Sequence, residues 1–156
     1  MMVGHVDLHR VLAHRHPMLL VDRVVELVPD ERIVAHKAVT GNEPWYAGVT
    51  GDLSYPSSLL LESWCQAAGV LAVWPPPEVA DKVMVLGGAT TVSFHRPVLP
   101  GDLVEHRIRI TRVGPDNSIF DGGSSVRGTP VMAVERMVMA LRPMAVLAQH
   151  DEQGEP

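Results

Sequence analysis

Hydrophobic positions along this chain fall into two kinds of run. The longest, residues 59–74, is apolar in nearly every position and is interrupted only by Glu62, Ser63 and Gln66. Pro56 precedes it, suited to a helix start where a missing N–H costs nothing, and Pro75-Pro76-Pro77 stops it. The spacing predicts one long helix over 57–74. It falls short of the ~18 uninterrupted apolar residues expected of a membrane span, so it reads as a core helix.

The other runs are rich in Val, Ile and Thr and are bounded by turn formers. Met18–Leu27 and Ile33–Thr40 flank Pro29-Asp30-Glu31 and predict a hairpin. Lys82–His95, Asp102–Val113, Ser118–Val126 and Val131–Leu141 are separated by Pro100-Gly101, by Gly114-Pro115-Asp116-Asn117 and by Arg127-Gly128-Thr129-Pro130, and predict an antiparallel sheet. Residues 6–12 suggest a helical turn. Residues 41–55 form a loop too long to be a mere connector, the kind that often carries function. Gly87-Gly88 and Gly122-Gly123 fit bends or bulges in long strands and match no phosphate loop.

About six strands and one helix that is apolar nearly all round have one economical arrangement, a sheet curled around the helix. The expectation is an α+β hot-dog domain over residues 1–143, with residues 144–156 as a frayed tail. The open edges of such a sheet usually find a second subunit, so a dimer is expected.

Composition narrows the classes. With 46% hydrophobic and 20% charged residues the chain is globular rather than disordered. A formal net charge of −5 and no basic run argue against nucleic acid, whose binding is driven by Lys and Arg displacing counterions. Cys65 is the only cysteine, which forbids an internal disulfide. Met1-Met2-Val3-Gly4-His5 lacks the charged and apolar regions of a signal peptide. Cytoplasmic location and no membrane association are expected.

The chemistry centres on the polar stripe of the helix. Ser58, Glu62 and Gln66 are spaced by four and share one face. A carboxylate that loses water there is pushed above the ~4.3 of a free Glu unless a cation or donors compensate. A raised carboxyl could act as a general acid. The blander reading pairs Glu62 with an arginine of the sheet, such as Arg96 or Arg107, or leaves it at a solvated helix edge. His14 and His16 form a His-x-His pair, but no further ligand lies at metal spacing. Cys65 reads as a core thiol.

Three stretches resemble the FabZ type of bacterial 3-hydroxyacyl-[acyl-carrier-protein] dehydratases. They are His14-Arg15-His16-Pro17-Met18-Leu19-Leu20-Val21-Asp22-Arg23; Asn42-Glu43-Pro44-Trp45-Tyr46-Ala47-Gly48, leading into Leu59-Leu60-Leu61-Glu62-Ser63-Trp64-Cys65-Gln66-Ala67-Ala68-Gly69; and Phe94-His95-Arg96-Pro97-Val98-Leu99-Pro100-Gly101-Asp102. In order and spacing they cover residues 8–142. The wording of the second is similar to dehydratase-like subunits of actinobacterial type II polyketide systems.

The resemblance implies a hot-dog dimer whose tunnel receives an acyl chain carried on the phosphopantetheine of an acyl carrier protein, with no metal or other cofactor. It implies Glu62 as the catalytic carboxyl group. It implies a substrate-binding set of Gln66, Ser57, Ser58, Tyr55, Val49, Phe94 and His95. The family's second catalytic group is a histidine in a His-Phe-Pro-Gly segment after the Asn-Glu-Pro motif. Here the chain reads Gly48-Val49-Thr50-Gly51, with Val49 at the histidine position and the loop one residue shorter.

Loss of a positioned base costs ~10² to 10⁴ in rate. Family sites are composite across the dimer, so the expectation is a heterodimer in which a histidine-bearing dehydratase-like partner meets Glu62; a homodimer would lack the pair. Two alternatives stand beside it. One is a stand-alone hot-dog thioesterase or enoyl isomerase with Glu62 as base, helped by Asp52 or Tyr55. The other is a noncatalytic subunit that docks acyl-carrier-bound chains.

Overall fold

The computed structural model describes residues 6–75, 82–114 and 116–143. In chain order it holds helix α1 (Leu8–Val11), strands β1 (Arg23–Val28) and β2 (Arg32–Ala38), a 3-10 turn (Pro44–Tyr46), helix α2 (Ser57–Ala72), and strands β3 (Lys82–Phe94), β4 (Leu103–Val113), β5 (Asn117–Val126) and β6 (Thr129–Pro143). All six strands join one antiparallel sheet in the order β1-β2-β4-β5-β6-β3. This is the expected hot-dog arrangement. The tail expected at 144–156 lies outside the described residues.

The sheet curls around α2, which packs against β1, β2, β3, β4 and β5. Trp64, Ala67, Ala68 and Val70 are fully buried, facing Leu27, Ile33, Ala35, Ile108, Phe120 and Met137 from the sheet side of the core. Small residues at 67–69 let other segments close onto the helix, and a Cβ on Gly69 would lie 3.8 Å from Leu12 Cδ2. Curvature is built in by irregularities at the glycine pairs. Register shifts at Leu86/Gly88 and Phe120/Gly122. Gly122 has φ +145°, and a Cβ there would fall 2.1 Å from Arg107 O, so only glycine allows β5 to pass β4 this closely.

One boundary differs from the sequence reading. Met18–Leu20 was expected to open the first strand, yet β1 starts at Arg23. The backbone groups of Met18 and Leu20 are taken by the Gln66 side chain, which substitutes for a strand partner. The helix is also buried on only part of its circumference. Leu59, Leu61, Glu62 and Cys65 remain partly exposed, and Ser57 and Ser58 are exposed. No helix among the described residues is long and apolar enough to cross a membrane.

Two polar clusters lie within this core. His106 is fully buried on β4, with Nε2 2.8 Å from Ser63 Oγ of α2 and Nδ1 2.7 Å from Ser124 Oγ of β5. In a neutral imidazole one nitrogen donates and the other accepts, so both serines are satisfied. Burial, with help from nearby His36 and Lys37, pushes His106 down to about 3. The second cluster explains the Asn42-Glu43-Pro44 motif. Glu43 Oε1 pairs with buried Lys37 Nζ at 3.0 Å and accepts the Thr40 N–H at 3.0 Å, fixing the start of the long loop. Trp45 packs edge-on against Tyr55 above this pair, with ring centroids 5.8 Å apart.

Candidate active site

Glu62 stands in the second turn of α2, where the helix faces the segment between α1 and β1. That segment is held by the residues of its own motif. Arg15 donates to the carbonyls of Leu12, His14 and His9 at 2.7, 2.7 and 3.0 Å, pinning the turn that carries His14. Asp22 Oδ2 accepts the Ala38 N–H at 2.7 Å and locks the other end onto β2. His14 Nε2 then lies 3.3 Å from Glu62 Oε1.

Gln66, one turn further along the helix and 2% exposed, completes the arrangement. Its Oε1 accepts the Leu20 N–H at 2.9 Å, while its Nε2 donates to Met18 O at 2.7 Å and to Glu62 Oε1 at 2.9 Å. The amide thus stitches the segment to the helix and orients the carboxylate together. The Glu62 side chain is 36% exposed, half in and half out of the protein.

This environment corrects the expected direction of its acidity. The hydrogen bond from His14 lowers the Glu62 carboxyl below its ordinary range; burial opposes this, and the Gln66 bond and the charge of His14 reinforce it. The compensating donors are present, so the resting carboxyl is ionised rather than held as an acid. The arginine pairing is corrected too. Arg96 donates to Val126 O at 3.2 Å and Arg107 to Glu105 at 2.8 Å. His14 is engaged with Glu62, and no three His, Cys, Asp or Glu side chains group as metal ligands among the described residues. Burial and the Glu62 charge push the Cys65 thiol up to about 12, which makes it a poor nucleophile.

Four of the expected substrate-side residues meet apart from Glu62, where the start of α2 approaches the end of β3. Tyr55, Ser57, Phe94 and His95 line a pocket of about 290 Å³ at the amino end of α2. The Tyr55 N–H donates to Val98 O at 2.7 Å and ties the helix approach to the chain leaving β3. Tyr55 itself is a buried floor residue. Burial and the neighbouring Glu43 carboxylate push its phenol far above the usual range, so it cannot serve as a base. Asp52 is spent on capping Ser54, whose N–H and hydroxyl it accepts at 2.8 and 2.6 Å.

Ser58 and Val49 line neither the pocket nor the Glu62 cluster. Ser58 lies exposed on the helix, and Val49, 41% exposed, follows Gly48 at φ +74° in the loop. A larger groove of about 460 Å³ opens on the sheet face away from the helix. None of the expected site residues lines it, and its arginines Arg32, Arg107 and Arg109 are paired with Glu26, Glu105 and Asp121.

His14 was missed as a partner of Glu62 because the two lie 48 positions apart. The available signal was its place in the His14–Arg23 motif, whose tight Arg15-His16-Pro17-Met18 turn, closed by the Met18 N–H on Arg15 O at 2.7 Å, marks a positioned segment.

Comparison with known proteins agrees with this architecture. The FabA-like domain family matches residues 12–135. The 3-hydroxyacyl-[acyl-carrier-protein] dehydratase FabZ of Anaeromyxobacter sp. (strain K) is 41% identical over 137 residues, covering 86% of this chain and 88% of the relative. That of Campylobacter curvus is 33% identical over 144 residues, covering 88% and 97%. Among solved structures, the dehydratase heterocomplex ApeI:P of Xenorhabdus doucetiae superposes with a TM-score of 0.79 at 20% identity, covering 94% of this chain and 97% of that one. The PaaI protein of E. coli superposes at 0.59 with 16% identity, covering 77% and 82%. These two share the fold. With its sheet, its helix and its relatives in agreement, the chain belongs to the FabA-like family and, within it, to the 3-hydroxyacyl-[acyl-carrier-protein] dehydratases of the FabZ type.

Proposed function

We propose that this chain is a subunit of a dehydratase that removes water from 3-hydroxyacyl thioesters carried on the phosphopantetheine of an acyl carrier protein, in fatty-acid or polyketide assembly. The supporting observation is Glu62, oriented by two donors on a helix face that the chain leaves half open. In the reaction a proton leaves C2, the C3–O bond breaks, the C2=C3 bond forms, and the departing hydroxyl takes a proton to become water. One group must accept a proton and another must donate one. At the start of α2 the Leu59 and Leu60 N–H groups donate to Pro56 O at 3.0 Å, which leaves the N–H groups of Ser57 and Ser58, at the positive end of the helix dipole, to polarise a thioester carbonyl at the pocket end.

Glu62 supplies one of the two proton-handling groups. With Val49 where the family has histidine, we assign the other to a partner subunit. Two features favour an assembly. The long β3 is an open edge of the sheet, with Val85 and Leu86 exposed, and Leu61 and Cys65 flank Glu62 on the uncovered face of α2. A second subunit seated there would exclude water from the carboxylate and complete an acyl channel. The chain then works in the cytoplasm with an acyl carrier protein and a dehydratase-like partner, and without a metal.

The test is dehydration of a 3-hydroxyacyl-acyl carrier protein, followed by mass spectrometry. Activity should be low for the purified chain and should rise on co-expression with a histidine-bearing dehydratase from the same cells. Full activity of the single chain would overturn the partner assignment. Thioester hydrolysis without dehydration would overturn the reaction.

A further inference from the structure

The two donors that reach Glu62 arrive on the same oxygen. Gln66 Nε2 lies 2.9 Å and His14 Nε2 3.3 Å from Oε1, and Oε2 has no hydrogen-bond partner among the described residues. An unrestrained carboxylate would exchange its oxygens by rotation about its last bond. Here one oxygen is tied from two elements, so the other has a fixed direction. We propose that His14 is a positioning residue of the reaction: with Gln66 it anchors Glu62 by Oε1 and presents Oε2 as the oxygen that exchanges a proton with the substrate. This rests on the dehydratase reading above.

The geometry around His14 supports this assignment. The turn carrying it is fixed by three Arg15 hydrogen bonds to backbone carbonyls, so the imidazole is held in place rather than resting loosely on the surface. Its Nδ1 is buried without a partner, and its Nε2 lies 3.3 Å from Glu62 Oε1, within ion-pair range. Few other groups act on the carboxyl. His14 approaches from the segment between α1 and β1, neutral Gln66 from the same helix, and Cys65 on the adjoining turn feels the Glu62 charge without donating to it. The lowered carboxyl acidity range agrees with a donor at this position.

Removing His14 has a sign that holds for either role of Glu62. Without the donor the carboxyl protonates at higher pH. If Glu62 acts as base, the acid limb of the activity profile moves up; if it acts as acid, the limb lost at high pH moves up. The direction of the activity change at a fixed pH then reports which role applies.

The experiment titrates Glu62 by carboxyl-carbon NMR in the purified full chain, for native protein, His14→Ala and His14→Gln, with Glu62→Gln identifying the resonance. The midpoint should rise in both His14 variants. In the active complex kcat should fall about ten- to a hundredfold for His14→Ala, with KM little changed. His14→Gln, which keeps a donor without the charge, should regain much of kcat while its pH limb stays displaced. If His14→Ala does not fold, His14→Gln carries the titration. An unmoved midpoint, or an unmoved pH limb in the folded variants, would overturn the proposal. Absence of dehydration by the native complex would overturn the dehydratase reading instead, and the NMR titration would still decide the contact.

Discussion

Glu62 and Ser63 are neighbours on one helix, and each takes a histidine from a distant segment, yet the two pairs have opposite characters. Ser63 faces the sheet. Its partner His106 has both nitrogens satisfied, is sealed from water and is held neutral down to about pH 3. Glu62 faces the open side, where its partner His14 has one nitrogen unmatched and the carboxylate keeps a free oxygen. A rotation of about 100° around the helix, one residue's step, separates a structural clasp from a chemical group. Besides the exchange of a hydroxyl for a carboxylate, the difference lies in satisfaction and access. A polar cluster with every valence filled holds elements together; one left partly open can exchange protons with something else.

This contrast can be broken from either side. The largest effect is expected at the open pair: Glu62→Gln keeps size and the Gln66 contact but removes the proton site, and dehydration by the complex should fall ~10² to 10⁴-fold. Thermal unfolding should show the variant as stable as the native chain, and a large loss of stability would place Glu62 with the structural cluster instead. At the sealed pair the outcome should reverse. His106→Ala leaves two buried serine hydroxyls unmatched and opens a cavity, destabilising the fold by about 3 kcal/mol in urea titrations.

A third expectation concerns pH. His106 is lowered in the fold, so the unfolded chain binds its proton first as pH falls below about 6.5, and stability drops by about 1.4 kcal/mol per pH unit from there toward about 3. Above 6.5 this contribution is complete and flat. Comparing urea midpoints of native protein and His106→Gln between pH 4 and 7 should show the slope reduced in the variant. Equal slopes would mean that His106 is protonated in the fold. The smallest effect is expected at Cys65, beside the carboxylate. With its thiol pushed up to about 12, alkylation by iodoacetamide at pH 8 should be slow. Rapid labelling would show that the half-open face is wetter than its geometry indicates.

Much of this could be read from the residues. The Pro56 start and triple-proline stop bounded α2, and alternation with Gly and Pro turns marked the strands to within about two residues over most of their length. The glycine pairs announced their bulges because two adjacent glycines in a β-branched run have few other uses. The spacing by four placed Glu62 and Gln66 on one face of the helix. What stayed hidden depends on contacts between distant segments. Met18–Leu20 has the composition of a strand, and nothing local reveals that Gln66 takes its hydrogen bonds. His14 was noted only as half of a His-x-His pair without further ligands, because spacing within a motif cannot show which helix it meets. The acidity of Glu62 was misjudged for the same reason, since desolvation is legible in an apolar helix and a donor arriving from 48 residues away is not. His106 was more accessible to inspection: it shares parity with Val104 and Ile108 on β4, the inward face.

The Gln66 amide also imposes an order of events on folding. Its partners Met18 and Leu20 lie 48 and 46 residues earlier in the chain, whereas Glu62 is a single turn away. The backbone bonds of α2 are local, but the amide gains its partners Met18 and Leu20 only when the early segment has closed across that span. The carboxylate therefore gains its final direction only with that closure, and reactivity is a product of tertiary structure. A nascent or partly unfolded chain would display the same glutamate on the same helix with its aim undetermined.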